Sequence, residues 1–243
     1  LLSQAFTRML HNDMSISTLI PAEPWLFGYY AGMGYVPVFK YSSTTFTASE
    51  VTIADETAVL NKINDYQEES YHYLNQKLRE RPYCIQHTET DFRVILADLQ
   101  LGEGYVYTLK QGDKITALAI VYPAGSTWQA GEIVAETPGM YPLLLQRICE
   151  QLNIPSIRVI SPSETEPAPQ VLGMARIINA KTILQRYAAE HPGLEMSIAL
   201  TDPQISANNG YYYLNNGKCM NSAKRLPGSH LALTVGELAE KIL

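Results

Sequence analysis

The chain has 243 residues, 46% hydrophobic and 17% charged, with a formal net charge of -6. That composition fits a globular chain long enough for two domains and excludes a disordered one. No block of basic residues occurs, so a nucleic-acid groove has no electrostatic footprint. An acidic surface instead suits a cationic small molecule such as an amine. Cys84, Cys149 and Cys219 form no CxxC pair, which argues against a disulfide framework or a zinc site and for a reducing compartment. Apolar runs such as Ile115 to Tyr122 are too short to span a bilayer, and no signal peptide opens the sequence. The expectation is a cytoplasmic protein with no membrane, nucleic-acid or metal partner.

Leu1, Leu2, Ala5, Phe6, Met9 and Leu10 fall on one helical stripe that runs to about His11. No initiator Met or capping residue precedes it, so Leu1 is expected to be a cut or disordered boundary. Ser15 to Ile20 reads as a strand. Pro24 suits an early helix position, with Trp25 to Tyr30 continuing and Gly32 and Gly34 ending the helix. Val36 to Tyr41 reads as a strand, and the Ser/Thr-rich stretch Ser42 to Ser49 as a linker or an edge strand. Asp55 opens a long helical pattern carrying Val59, Leu60, Ile63, Tyr66 and Tyr71, which Pro82 breaks. Thr88 with Asp91 starts another helix.

From Gly104 the period becomes two. Tyr105 to Leu109 and Ile115 to Tyr122 form a hairpin around Gln111-Gly112-Asp113. A strand at Gly131 to Ala135, a helix after Pro138 and a strand at Ile157 to Ile160 follow. Ser161 to Gln170, rich in Pro, Ser and Glu, marks a boundary. Beyond it come a strand (Met174 to Ile178), a helix (Lys181 to Ala189) and strands at Leu194 to Leu200, Tyr211 to Leu214 and His230 to Leu233, with a turn at Asn215-Asn216-Gly217. Thr234 and Glu237 cap a final helix, Val235 to Leu243.

The segment Tyr30-Ala31-Gly32-Met33-Gly34-Tyr35, after a strand and a short helix, resembles the Y-x-x-x-G-[FY] signature that closes the core of GNAT acetyltransferases. Gly173-Met174-Ala175-Arg176-Ile177-Ile178-Asn179, the strand Gly210-Tyr211-Tyr212-Tyr213-Leu214 and the capped last helix resemble the small tail domain of the Eis (enhanced intracellular survival) family. The resemblance implies an α/β fold with mixed α+β character. It would hold tandem GNAT-like (acyl-CoA N-acyltransferase) halves followed by a sterol-carrier-protein-like domain, divided as 1–43, 44–170 and 171–243. The middle region, Thr44 to Pro162, should lack its own cofactor loop, and Met174 to Leu243 should be a compact module.

The resemblance also implies acetyl-CoA as donor, an aminoglycoside- or polyamine-like amine as acceptor, and Tyr30 as general acid to the leaving thiolate. Tyr29 is the register alternative, and all the tyrosines here could be packing aromatics. Phe27 and Glu23, one and two turns before Tyr30, are expected to line the pantetheine channel. The family's R-x-x-G-x-[GA] phosphate loop does not occur in this sequence, so residues 1–243 alone should bind acetyl-CoA poorly. The family's base, a chain-terminal carboxylate, is not carried over to Leu243.

Other candidates carry little. His11, His72, His87, His191 and His230 lack ligand spacing. No GxSxG elbow occurs. Gly102-Glu103-Gly104 precedes a strand and reads as a turn. Glu68-Glu69 and Glu164 to Glu166 read as solvated charges, and Glu136 as structural. The runner-up function is storage of a lipid or other apolar ligand in the tail domain on a non-catalytic scaffold. A purely structural assembly module is a third reading, and homo-oligomer formation stays open.

Overall fold

The computed structural model describes residues 1–50, 55, 57–81, 84–162 and 169–243. In chain order the first elements are α1 (Leu2–His11), β1 (Ile16–Leu19), α2 (Leu26–Ala31), β2 (Val36–Thr47), β3 (Ala58–Ile63), α3 (Glu68–Arg79) and α4 (Glu89–Leu101). Then come β4 (Tyr105–Gln111), β5 (Lys114–Ala124), β6 (Thr127–Ala135), α5 (Met140–Leu152) and β7 (Ser156–Pro162). The tail holds β8 (Gln170–Ile177), α6 (Ala180–Glu190), β9 (Met196–Thr201), β10 (Gly210–Asn215), β11 (Lys218–Ser222), β12 (Leu231–Thr234) and α7 (Val235–Ile242).

These elements form two compact units, one from Leu1–Tyr41 with Ala168–Leu243, the other from Ser42–Pro167. The sequence reading divided the chain at 43/44 and 170/171. In the structure the first and last of those segments share one unit.

In the Ser42–Pro167 unit, strands β7, β6, β5, β4 and β3 lie in that order beside residues 42–47 of β2. The hairpin β4–β5 turns at Gly112, whose φ of +60° suits glycine. Alternation along the strands builds two apolar layers. Tyr107, Leu109, Ala117 and Ala119 pack with Leu143, Leu144, Leu145 and Ile148 of α5. Their neighbours Val106, Leu118 and Val134 pack with Leu74 and Leu78 of α3 and Phe92 and Leu96 of α4. The Thr88/Asp91 capping box forms as expected.

One expectation holds in this unit and one fails. Ser42 to Thr47 is the edge strand of the two alternatives: it completes β2 beside β7, with Ser42 Oγ 3.0 Å from Ser161 Oγ and Arg158 Nε donating to Ser43 Oγ at 2.8 Å, while the register of β2 with β8 ends at Tyr41. The supposed helix from Asp55 is instead β3, in antiparallel register with β4 from Ala58↔Gln111 to Ile63↔Val106. Its β-branched residues gained a partner strand, and pairing overrode the weak helical period. The helix begins only at Glu68, with Glu68 and Glu69 in its first turn. Pro82 and Glu164 to Glu166, read as a breaker and as solvated charges, lie outside the described residues.

In the other unit, β8 lies between β1 and residues 36–41 of β2, antiparallel to both. A second sheet has the order β11-β10-β9-β12. Ile177 and Val36 share an apolar cluster with Leu184 of α6, Ile198 and Tyr212 of the second sheet, and Leu238 of α7. Strand β11, absent from the sequence reading, continues the hairpin whose turn holds Asn216 (φ 49°) and Gly217 (φ 73°). The Thr234/Glu237 capping box is present.

Candidate functional site

Helix α2 is short, and the residues around it are fixed from both ends. Two tight turns lead into it, with Leu26 N–H donating to Glu23 O at 3.0 Å and Phe27 N–H to Pro24 O at 3.3 Å. Glu23 therefore sits in an exposed turn before the helix and not on the Phe27–Tyr30 face. At the other end the Tyr30 carbonyl accepts N–H groups from Met33 (2.9 Å) and Tyr35 (3.1 Å). Gly34, at φ +84°, completes this turn in the left-handed region. A Cβ there would run into Arg176 Nη1 and meet Val235 Cγ1 at 2.9 Å.

The three tyrosines separate by environment. Tyr35 is 2% exposed, and its hydroxyl lies 2.7 Å from Ser17 Oγ, so it serves the core. Tyr29 is 47% exposed. Tyr30 is half-buried and packs, with Phe27 and Met33, on a cluster of Phe6, Tyr35, Met174 and Ile178. Its ring lies edge-on to those of Tyr29 (5.3 Å) and Tyr35 (5.6 Å). Its hydroxyl has no hydrogen-bond partner among the described residues. A phenol with its ring held in an apolar wall and its hydroxyl uncommitted is suited to giving a proton to a bound group. The structure thus brings Phe27 and Tyr30 into one cluster and leaves Glu23 outside it.

No family model matches the sequence, and no curated protein matches it. Solved structures do match. A GCN5-related N-acetyltransferase from Anabaena variabilis superposes with a TM-score of 0.68 at 17% identity, covering 98% of this chain and 66% of that one. One from Kribbella flavida gives 0.67 at 16%, covering 98% and 63%. Eis1 from Mycobacterium abscessus gives 0.67 at 12%, covering 100% and 66%. The fold is GNAT-like. It is a mixed α/β fold over almost the whole chain, which spans less than two thirds of the length of each of these proteins.

Seen in that fold, the middle unit runs strand, two helices, three strands, helix, strand. The β6–α5 connection, Glu136-Thr137-Pro138-Gly139, carries a carboxylate and no glycine-rich turn. An open depression of about 420 Å³ lies there, lined by Glu136, Thr137, Pro138 and Tyr141. Glu136 is neutralised by Lys77 at 3.1 Å, and burial pushes the Tyr141 phenol up from its ordinary value. Near α6 and α7 an apolar cavity of about 40 Å³ is lined by Leu184, Met196, Ile198, Leu214 and Ile242, with Lys241 beside it. No cluster of metal-ligating side chains occurs among the described residues, and no helix among them is long and apolar enough to cross a membrane.

The sequence reading missed Arg176. Its side chain is fully buried, and Nη2 donates to both Asp202 carboxylate oxygens at 2.7 Å. Nη1 donates to the Met33 carbonyl, and the guanidinium carbon stands 4.4 Å from the Phe6 ring centroid. The available signal was a lone arginine in the apolar run Met174-Ala175-Arg176-Ile177-Ile178. A buried charge requires a partner, but nothing in the sequence singles out Asp202 as that partner.

Proposed function

We propose that this chain is the larger part of an acetyl-CoA-dependent N-acetyltransferase acting on an amine, with Tyr30 as general acid. The observation that carries the reading is the position of Tyr30 in a GNAT-like fold: half-buried on α2, hydroxyl uncommitted, just ahead of the Gly34–Tyr35 turn. In this reading 171–243 is a sterol-carrier-protein-like domain, and a cationic acceptor of aminoglycoside or polyamine type suits the acidic chain.

The amine nitrogen attacks the thioester carbonyl carbon, a new C–N bond forms, and the C–S bond breaks with its electron pair on sulfur. The Tyr30 hydroxyl gives its proton to that sulfur, and solvent later returns one to the phenolate. The proton lost by the amine passes to a base that no residue named here supplies. Phe27 packs beside Tyr30 and is read as lining the pantetheine path, and Glu23 as standing at its exposed mouth.

The alternative, storage of a lipid or apolar ligand in the tail, needs more room than the cavity of about 40 Å³ beside α6 and α7 offers. Pockets for small ligands run to roughly 300–1,000 Å³.

The test is single-turnover acetyl transfer by the full-length polypeptide to a polyamine or aminoglycoside. Tyr30→Phe keeps the ring and removes the proton, so the rate should fall about 100- to 10,000-fold. Tyr29→Phe should be near neutral. Loss in Tyr29→Phe with full activity in Tyr30→Phe moves the role by one residue. Full activity in both removes the phenol from the mechanism.

A further inference from the structure

Arg176 poses a physical question that the apolar core around it does not. A guanidinium with no exposed surface bears a large desolvation cost, and an apolar side chain of similar volume would fill the space without it. What an apolar side chain lacks is the ability to grip a carboxylate and a backbone carbonyl at once. Asp202 is committed to that grip. Besides Arg176 it accepts from Gln204 N (2.9 Å), Ile205 N (3.1 Å) and Asn208 Nδ2 (2.9 Å). Asn208 is itself tied to Ala180 N (2.9 Å) and Ile178 O (3.2 Å). The carboxylate is therefore immobile, and the guanidinium fixed to it has the Phe6 ring against its face.

The other arm of Arg176 ends on the turn that carries Tyr30. Nη1 binds the carbonyl of Met33, whose own N–H binds the carbonyl of Tyr30. Gly34, next in the chain, has no side chain, and the guanidinium occupies the space its Cβ would take. We propose that Arg176, anchored by Asp202, is a positioning residue: it sets the Tyr30–Tyr35 turn and, through it, where the Tyr30 phenol points. The tail of the chain thereby acts on the site from a distance in sequence, as a strut. The catalytic meaning of this strut rests on the reading of Tyr30 as the acid; its effect on the Tyr30 ring does not.

Arg176→Lys keeps a cation for Asp202 but cannot reach the carboxylate and the Met33 carbonyl together. Two readouts apply to the full-length polypeptide. The first is the NMR resonance of the Tyr30 ring in protein with labelled tyrosine, assigned by its loss in Tyr30→Phe. It should move in Arg176→Lys while that of Tyr107, in the other unit, stays. The second is steady-state acetyl transfer. kcat should fall about 10- to 100-fold, the penalty of a misplaced catalytic group, with KM for acetyl-CoA within about two-fold. In a Tyr30→Phe background Arg176→Lys should cause no further loss. Should Arg176→Lys not fold, Phe6→Leu removes the ring beneath the guanidinium and is read in the same two ways. An unmoved Tyr30 resonance overturns the proposal, as does a loss of kcat that persists undiminished in the Tyr30→Phe background. A moved resonance together with full activity of Tyr30→Phe upholds the strut and overturns the acid.

Discussion

The two units solve the same problem by different means. In Ser42–Pro167 neighbouring strands are mostly neighbours in sequence, and β4, β5 and β6 pair through short turns. Turn chemistry and apolar alternation suffice to fix register there, and both faces of the sheet bury hydrocarbon. In the other unit β1 pairs with a strand from the far side of the chain, Ile16 opposite Ile177. No turn dictates that register. The core there holds the Arg176–Asp202 pair and Asn208, all at most 2% exposed. Arg176 Nε is left without a partner among the described residues, but the fixed grip on Asp202 is a buried polar network of the kind that can select a register which greasy surfaces alone would leave loose.

The largest effect should come from breaking that network. Asp202→Ala leaves a buried guanidinium and the N–H groups of Gln204 and Ile205 without their acceptor, and should cost about 3–5 kcal/mol in urea denaturation. An effect below about 1 kcal/mol would mean that the ion pair is incidental to this unit. In the contiguous unit the matching experiment is Leu144→Ala, at a fully buried position of α5, expected at about 2–5 kcal/mol. If the contrast holds, Leu144→Ala lowers stability without moving the Tyr30 ring resonance, whereas Asp202→Ala does both.

The smallest effects sit at the helix starts. Thr88→Ala and Thr234→Ala each remove one capping box, worth about 1 kcal/mol, measured by thermal unfolding. The hydrogen bonds from Thr88 and Thr234 hold the Asp91 and Glu237 carboxyls below their ordinary values of 3.8 and 4.5. Each folded-state value is lower than the unfolded one, so each group's contribution is complete above its ordinary value. It drains away as pH falls through the lower folded-state value. The Thr→Ala variants should therefore show a shallower loss of stability on acidification below pH 4.5 than the parent.

These contrasts match what could be read from residues alone. Thr88/Asp91, Thr234/Glu237 and Gln111-Gly112-Asp113 were legible because each is a local arrangement whose partners lie within a few residues. The alternation of β4 and β5 was legible for the same reason. Strand β3 was not, since Val59, Leu60 and Ile63 fit a helical stripe and a strand alike until β4 is present to pair with them. Residues 42–47 were legible only as a linker or an edge strand, because serine and threonine are common in loops, and it is β7 beside them that decides for the edge strand. At the candidate site the tyrosine-rich turn was legible as a motif, and the short helix was anticipated near its place. Glu23 was put on a helix face because Pro24 suits a helix start; the chain spends those residues on two turns instead. Arg176 stayed unread because Asp202 is separated from it by α6 and β9, and no spacing rule spans such a gap.

The pairing of β1 with β8 has a consequence for how the chain is made. As the polypeptide leaves the ribosome, residues 1–41 emerge well before the strand they will pair with. Synthesis proceeds at roughly 5–20 residues per second, so the wait is on the order of ten seconds. The intervening unit has all its strands in hand and is free to fold meanwhile. During that interval Phe6, Met9 and Tyr35, which end in a common apolar cluster, have no Met174 or Ile178 to cover them. Residues 1–41 thus wait with apolar side chains uncovered, and slowing translation beyond residue 167 should lengthen that wait.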